Sequence, residues 1–89
     1  MKEITISQLR KRIEEEMSYD KVEQIQVTYC CPLFMGGYKK EDTQTFVPNA
    51  DEVVNAISER KGKIAIGKID IAYTEKDFRR TLFIDIVKL

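Results

Sequence analysis

The chain has 89 residues with 15 basic and 15 acidic side chains, two cysteines and no histidine. That length sets one domain, 1–89, and area scaling predicts about 5,400 Å² of folded surface against roughly 15,000 Å² unfolded, enough for one modest core and not for a roomy catalytic cavity. The zero net charge excludes a general pull toward nucleic acid or anionic membrane, and it leaves little colloidal repulsion against self-association.

No apolar run approaches the ~20 residues of a membrane-spanning helix. The segment Met1-Lys2-Glu3-Ile4-Thr5 lacks the apolar core of a signal peptide, so a cytoplasmic chain with no membrane contact is expected. Cys30 and Cys31 are adjacent, and neighbours in an extended strand point to opposite faces, which disfavours a disulfide between them. Two cysteines without histidine fall short of a structural zinc set. No metal or cofactor is expected, and a reduced thiol pair, one buried and one exposed, is.

The first helix is predicted from about Ile6 to Met17. Thr5 and Gln8 form a capping box, with Ile4 and Leu9 as the hydrophobic staple. Leu9, Ile13 and Met17, joined by Ile6, make one narrow buried stripe. Arg10, Lys11 and Arg12 precede Glu14, Glu15 and Glu16. This order opposes the helix macrodipole but permits three i,i+4 pairs.

A strand follows, from about Val22 to Cys31. Ile25, Val27, Tyr29 and Cys31 alternate with Gln24, Gln26, Thr28 and Cys30, which predicts one buried and one wet face. Next comes Pro32-Leu33-Phe34-Met35-Gly36-Gly37-Tyr38-Lys39-Lys40. The paired glycines signal a hairpin turn, with the return strand at Thr43 to Val47. Pro32 ends or edges its strand because it cannot donate to a ladder.

The second helix is the best specified. Asn49 is its N-cap and Glu52 completes a box. Arg60 and Lys61 suit its C-terminus, and Gly62 sits where the chain turns left-handed. Ala50, Val53, Val54 and Ile57 are its buried stripe.

The densest β-branched and aromatic run closes the sequence as a hairpin. One strand is Ile64 to Tyr73, the turn is Thr74 to Asp77, and the return strand is Phe78 to Val87. The isoleucines change phase at Gly67-Lys68, so one extra residue, a β-bulge at Gly67, would keep them all on one face. Leu82, Ile84 and Ile86 oppose Phe83, Val87 and Leu89, and a two-sided apolar strand is central, covered twice, or an oligomer edge. A competing reading caps a helix at Thr74 with Phe78, Leu82, Ile86 and Leu89 in line. The order α-β-β-α-β-β predicts an α+β fold: an antiparallel four-stranded sheet with both helices on one face.

Catalytic signals are thin. The commonest general base is absent, and no glycine-rich loop leads from a strand into a helix. Asp70 and Asp85 suit polar positions of a half-exposed sheet as well as they suit a metal. The expected function is therefore non-enzymatic: a small protein-interaction module with a protein partner or a second copy of itself. Its size and composition are shared with phage and mobile-element accessory proteins, including inhibitors of host defence. Leu33, Phe34, Met35 and Tyr38 are the candidate anchors, and Lys39 and Lys40 their polar rim. The alternative is a nucleic-acid-binding domain using Tyr38, Lys39, Lys40, Arg79 and Arg80, in which aromatics beside cations stack bases and hold phosphates.

Overall fold

Thr5 starts the first helix as its spacing predicts. In the computed structural model, which describes residues 1–89, its hydroxyl accepts from the Gln8 amide while the Gln8 side chain accepts from the Thr5 amide, so both arms of the capping box are made. Helix α1 runs Ile6–Tyr19, two residues past the expected Met17, and buries Leu9 and Ile13. Of the three expected i,i+4 ion pairs only Arg12–Glu16 forms. Arg10 instead reaches Asp51 on the second helix. That choice follows from charge: Asp51 sits in an N-terminal turn that already favours an anion, and the pair ties two helices together.

Before α1, a two-residue strand β1 (Glu3–Ile4) had no signal of its own in the sequence. After it come β2 (Gln24–Pro32) and β3 (Tyr38–Phe46), joined by the glycine turn. β3 begins at Tyr38, five residues earlier than expected, because Tyr38, Lys39 and Lys40 pair with Pro32, Cys31 and Cys30. The register slips by one residue beside Tyr29 and Cys30. The unpaired residue is Glu41.

Helix α2 (Ala50–Glu59) has Asn49 as its N-cap, accepting from the Asp51 and Glu52 amides. The return arm of the box is not made, since the Asn49 amide bonds the Val47 carbonyl instead. At the other end Lys61, not Gly62, is the first residue to turn left-handed (φ 47°), and Gly62 follows at φ 108°. β4 (Ile64–Tyr73) and β5 (Arg80–Lys88) form the closing hairpin. Gly67 is the extra residue between the Ile66↔Ile86 and Lys68↔Asp85 pairs, which is the predicted bulge. The helical alternative is overturned: Phe78 is left-handed at φ 54°, and Arg80 onward is strand.

The α+β class holds, but the sheet is larger and mixed. It has five strands in the order β1-β4-β5-β2-β3. β2 and β5 are parallel, from Gln24↔Thr81 to Cys30↔Val87, whereas an all-antiparallel four-stranded sheet was expected. The reason lies in connection lengths. Each hairpin pairs antiparallel through its short turn, but the two hairpins are joined by α2, a crossover long enough to set two strands parallel. β5 is therefore central, which accounts for its two apolar sides and removes it as a free edge for self-pairing.

Leu9 and Ile13 of α1 and Val53, Val54 and Ile57 of α2 share one core cluster with Ile25, Val27 and Tyr29 of β2 and Leu82, Ile84 and Ile86 of β5. Ile64, Ile66, Ile69 and Ile71 pack against its side. Both helices thus cover one sheet face, as expected. The exposed surface is 5994 Å², about a tenth above the scaling value.

Candidate functional site

The β2–β3 hairpin tip is built by two glycines. The Gly36 amide donates to the Leu33 carbonyl (3.2 Å) and the Leu33 amide donates to the Gly37 carbonyl (3.1 Å). Gly36 (φ 99°) and Gly37 (φ 74°) take the left-handed conformations that closing this turn demands. Phe34 and Met35 are thereby forced into the two corner positions. Phe34 is 101 % exposed, Met35 91 % and Leu33 51 %. Turn corners ordinarily carry Gly, Pro, Asn, Asp or Ser. Phe34 and Met35 break that rule, and neither they nor Leu33 belong to the core cluster.

Tyr38 does not stay with them. It is half-buried, and its side chain reaches from β3 across β2 on the helix-free face of the sheet. Its hydroxyl donates to Asp85 Oδ2 on β5 at 2.9 Å. Its ring lies over Gly67 of β4 so closely that a Cβ there would be 2.6 Å from a ring carbon. Burial, then the hydrogen bond to Asp85 and its charge, push the Tyr38 phenol up to about 12. Lys39 and Lys40 are exposed; the alternation of the strand sends Lys40 to the same face as Tyr38 and Lys39 to the other.

The face expected to be wet is therefore partly covered. Cys30, Gln24, Thr28 and Asp85 are all buried on it. The Gln24 side-chain amide donates to the Thr81 hydroxyl at 2.9 Å, and that hydroxyl donates to the Arg79 carbonyl at 3.0 Å. The two thiols lie on the faces that alternation assigns, but their burial is reversed: Cys30, on the face expected to be wet, is buried, and Cys31 is exposed. Burial, then the Asp85 charge, push the Cys30 thiol up, which keeps it protonated and unreactive.

Arg79 and Arg80 lie at the far end of the sheet from Tyr38. Thr81 is level with Gln24, whereas Tyr38 is level with Pro32. Arg80 pairs with Asp20 and sits 5.4 Å from the Tyr73 ring centroid. Arg79 pairs with Asp77. The structure thus brings Leu33, Phe34 and Met35 together, sets Lys39 and Lys40 behind them, and separates both lysines from Arg79 and Arg80.

One cluster had no advance signal. On the helix side, Arg60 at the end of α2 lies 3.4 Å above the Tyr29 ring and pairs with Asp42 of β3 at 2.7 Å. Tyr29 also donates to Gln44 Oε1 at 2.9 Å. The Arg60 guanidinium holds the Asp42 carboxyl below its ordinary value. A cleft of ≈ 300 Å³ beside it is lined by Tyr29, Ile57, Arg60, Ile64, Ile86 and Lys88. No group of three or more His, Cys, Asp or Glu side chains is placed to hold a metal ion. No helix is long and apolar enough to cross a membrane. Comparison of the chain with protein-family models, with curated proteins and with solved structures gave no match.

Proposed function

We propose that the protein is a non-enzymatic cytoplasmic interaction module that docks the tip of its β2–β3 hairpin into an apolar pocket of a partner protein. The observation that carries this reading is the exposure of Phe34 and Met35, 101 % and 91 %, at the corners of a hydrogen-bonded turn. Large exposed apolar side chains on a preorganised loop have the composition of binding hot spots, and a rigid turn lowers the ordering cost of binding. Leu33 forms the base of this anchor, and Lys39 and Lys40 supply a charged rim. Tyr38 acts as a brace that fixes the hairpin against the sheet. A phage or mobile-element accessory role is consistent with this design but rests on size and composition alone.

The test uses lysate capture with the wild type and with Phe34→Ser/Met35→Ser. The partner retained by the wild type should be lost from the variant. Melting temperature should change by only a few degrees, because exposed substitutions rarely move stability by more than about 0.5 kcal/mol. A large drop in melting temperature would show that the tip is core. Capture that disappears on nuclease treatment, with steep salt dependence, would move the function to nucleic-acid binding through Tyr38, Lys39 and Lys40.

A further inference from the structure

The ion pairs of the fold use every arginine and one lysine, Lys68. The unpaired lysines are not spread evenly. Lys39 stands at the start of β3, Lys61 and Lys63 in the connection from α2 to β4, and Lys88 at the end of β5. All four are exposed. Ile64 is level with Lys88, Cys30 with Val87, and Cys31 with Lys39, so the four ammonium groups gather at one end of the sheet, where α2 stops. A chain with no net charge thus carries a local cationic surface.

These lysines surround the cleft of ≈ 300 Å³ on the helix side. Its floor is apolar: Ile57, Ile86, the half-buried Ile64 and the ring of Tyr29. Arg60, stacked on that ring and paired with Asp42, forms one wall, and Lys88 forms another. Alternation puts Lys39 on the same side of the sheet as Lys88. Two unpaired carboxylates stand beside the cleft, Glu41 on its rim and Glu59 at the end of α2. We propose that this cleft binds an acidic peptide segment of a protein partner, with one apolar side chain of the segment on the isoleucine floor and its carboxylates against Lys39, Lys61, Lys63 and Lys88.

Three features select this occupant. Charge complementarity requires an anion, since four unpaired lysines outnumber Glu41 and Glu59. The negative end of the α2 dipole accounts for cations at Arg60 and Lys61, but not for Lys39 and Lys88, which stand on strands to either side of β2. The apolar floor requires more than charge: a phosphate backbone alone would leave Ile64 uncovered, whereas an acidic segment with an apolar side chain satisfies both floor and rim. The volume sets the size. It lies at the bottom of the range of small-molecule pockets and admits a side chain or two, not a lipid chain. A second copy of this chain is a poor occupant, because bringing two such ends together sets lysines against lysines. The cleft lies apart from Phe34 and Met35, so this contact adds to the docking of the hairpin tip and does not depend on it.

The experiment is a titration of the full chain, followed by its amide resonances, with the synthetic peptide Asp-Glu-Asp-Leu-Phe-Asp-Glu-Asp at low ionic strength. Two control peptides replace every acidic residue with Ser or with Lys. The acidic peptide should bind with a Kd below about 1 mM, weaken as salt is added, and shift the resonances of Tyr29, Arg60, Lys61, Ile64 and Lys88 while leaving those of Phe34 and Met35 in place. Both controls should bind at least tenfold more weakly. Lys61→Glu/Lys63→Glu/Lys88→Glu should lose the acidic peptide by about tenfold or more and gain the lysine peptide. Its circular dichroism should match that of the wild type, since all three side chains are exposed; Lys88→Glu alone should weaken binding in the same direction. The absence of shifts at millimolar acidic peptide overturns the inference, and so do equal affinities for the three peptides or shifts centred on Phe34 and Met35. An oligothymidylate that displaces the acidic peptide and binds more tightly than it does would assign the surface to nucleic acid and overturn the inference too. None of these negative results bears on the hairpin tip, which loss of capture by Phe34→Ser/Met35→Ser tests separately.

Discussion

The phenol of Tyr38 sits on an edge strand yet spans most of the sheet. Its hydroxyl is the hydrogen-bond donor to Asp85, a carboxylate only 7 % exposed. Removing that donor leaves a buried acceptor unpaired, so Tyr38→Phe should cost about 1–3 kcal/mol in urea unfolding. The same contact predicts a pH dependence. The folded-state phenol is raised from 10.0 to about 12, so its neutral form is favoured by folding. The stability that it adds is complete below pH 10 and is lost as pH climbs toward 12. Absorbance titration at alkaline pH should show a phenol ionising near 12 that Tyr38→Phe deletes; a deleted component that ionises near the ordinary 10 instead would show that the Asp85 contact is not made in solution. Nothing in the sequence distinguished Tyr38 from its apolar neighbours Leu33, Phe34 and Met35. The only pointer was Gly67, read correctly as a bulge but not as a vacancy left for another residue's ring.

Elements were legible where local chemistry decides them. The Thr5–Gln8 box fixed the start of α1, and Asn49 fixed the start of α2. Asn49→Ala should therefore lower stability by about 1 kcal/mol, within a range of about 0.5–2, measured by thermal melting; Asn49→Gly should cost only a few tenths. The phase change among the isoleucines located the bulge because a period of two leaves no other way to keep Ile64, Ile66, Ile69 and Ile71 on one face. β3 was harder. Tyr38, Lys39, Lys40, Glu41 and Asp42 have neither alternation nor a β-branched run, and their strand conformation comes from pairing with β2, a tertiary effect. The C-terminus of α2 was misassigned by one residue because lysine, with no glycine's freedom, takes the first left-handed position.

At the scale of the whole molecule, element order constrained the fold class and both helices' side of the sheet, but not the order of strands. Hairpin turns are written in adjacent residues, whereas the β2–β5 ladder joins Gln24 to Thr81, and no local pattern encodes a partner that far away. The two-sided apolar character of β5 did imply a covered strand; deciding between a central strand and an oligomer edge required knowing where β2 lay. β1, with two residues, was too short to leave a periodic trace. The candidate tip was visible as a composition anomaly, since four large apolar side chains around two glycines exceed what a small core absorbs. Which of the four point outward was settled by the turn's hydrogen bonds and by the reach of one ring.

The position of β5 has a consequence for how the protein comes into being. It is the last of the five strands to be synthesised, yet it lies in the middle of the sheet, with β4 on one side and β2 on the other. Until residues 80–88 leave the ribosome, β2 has one unpaired side and Val27, Ile25 and the stripes of both helices have no Leu82, Ile84 or Ile86 to meet. The nascent chain therefore cannot close its core by stages, and folding waits for the end of this segment. A chain stopped at Arg79 should be unfolded by circular dichroism and by dispersion of amide resonances. During translation it should be a client for holding chaperones rather than a half-built domain.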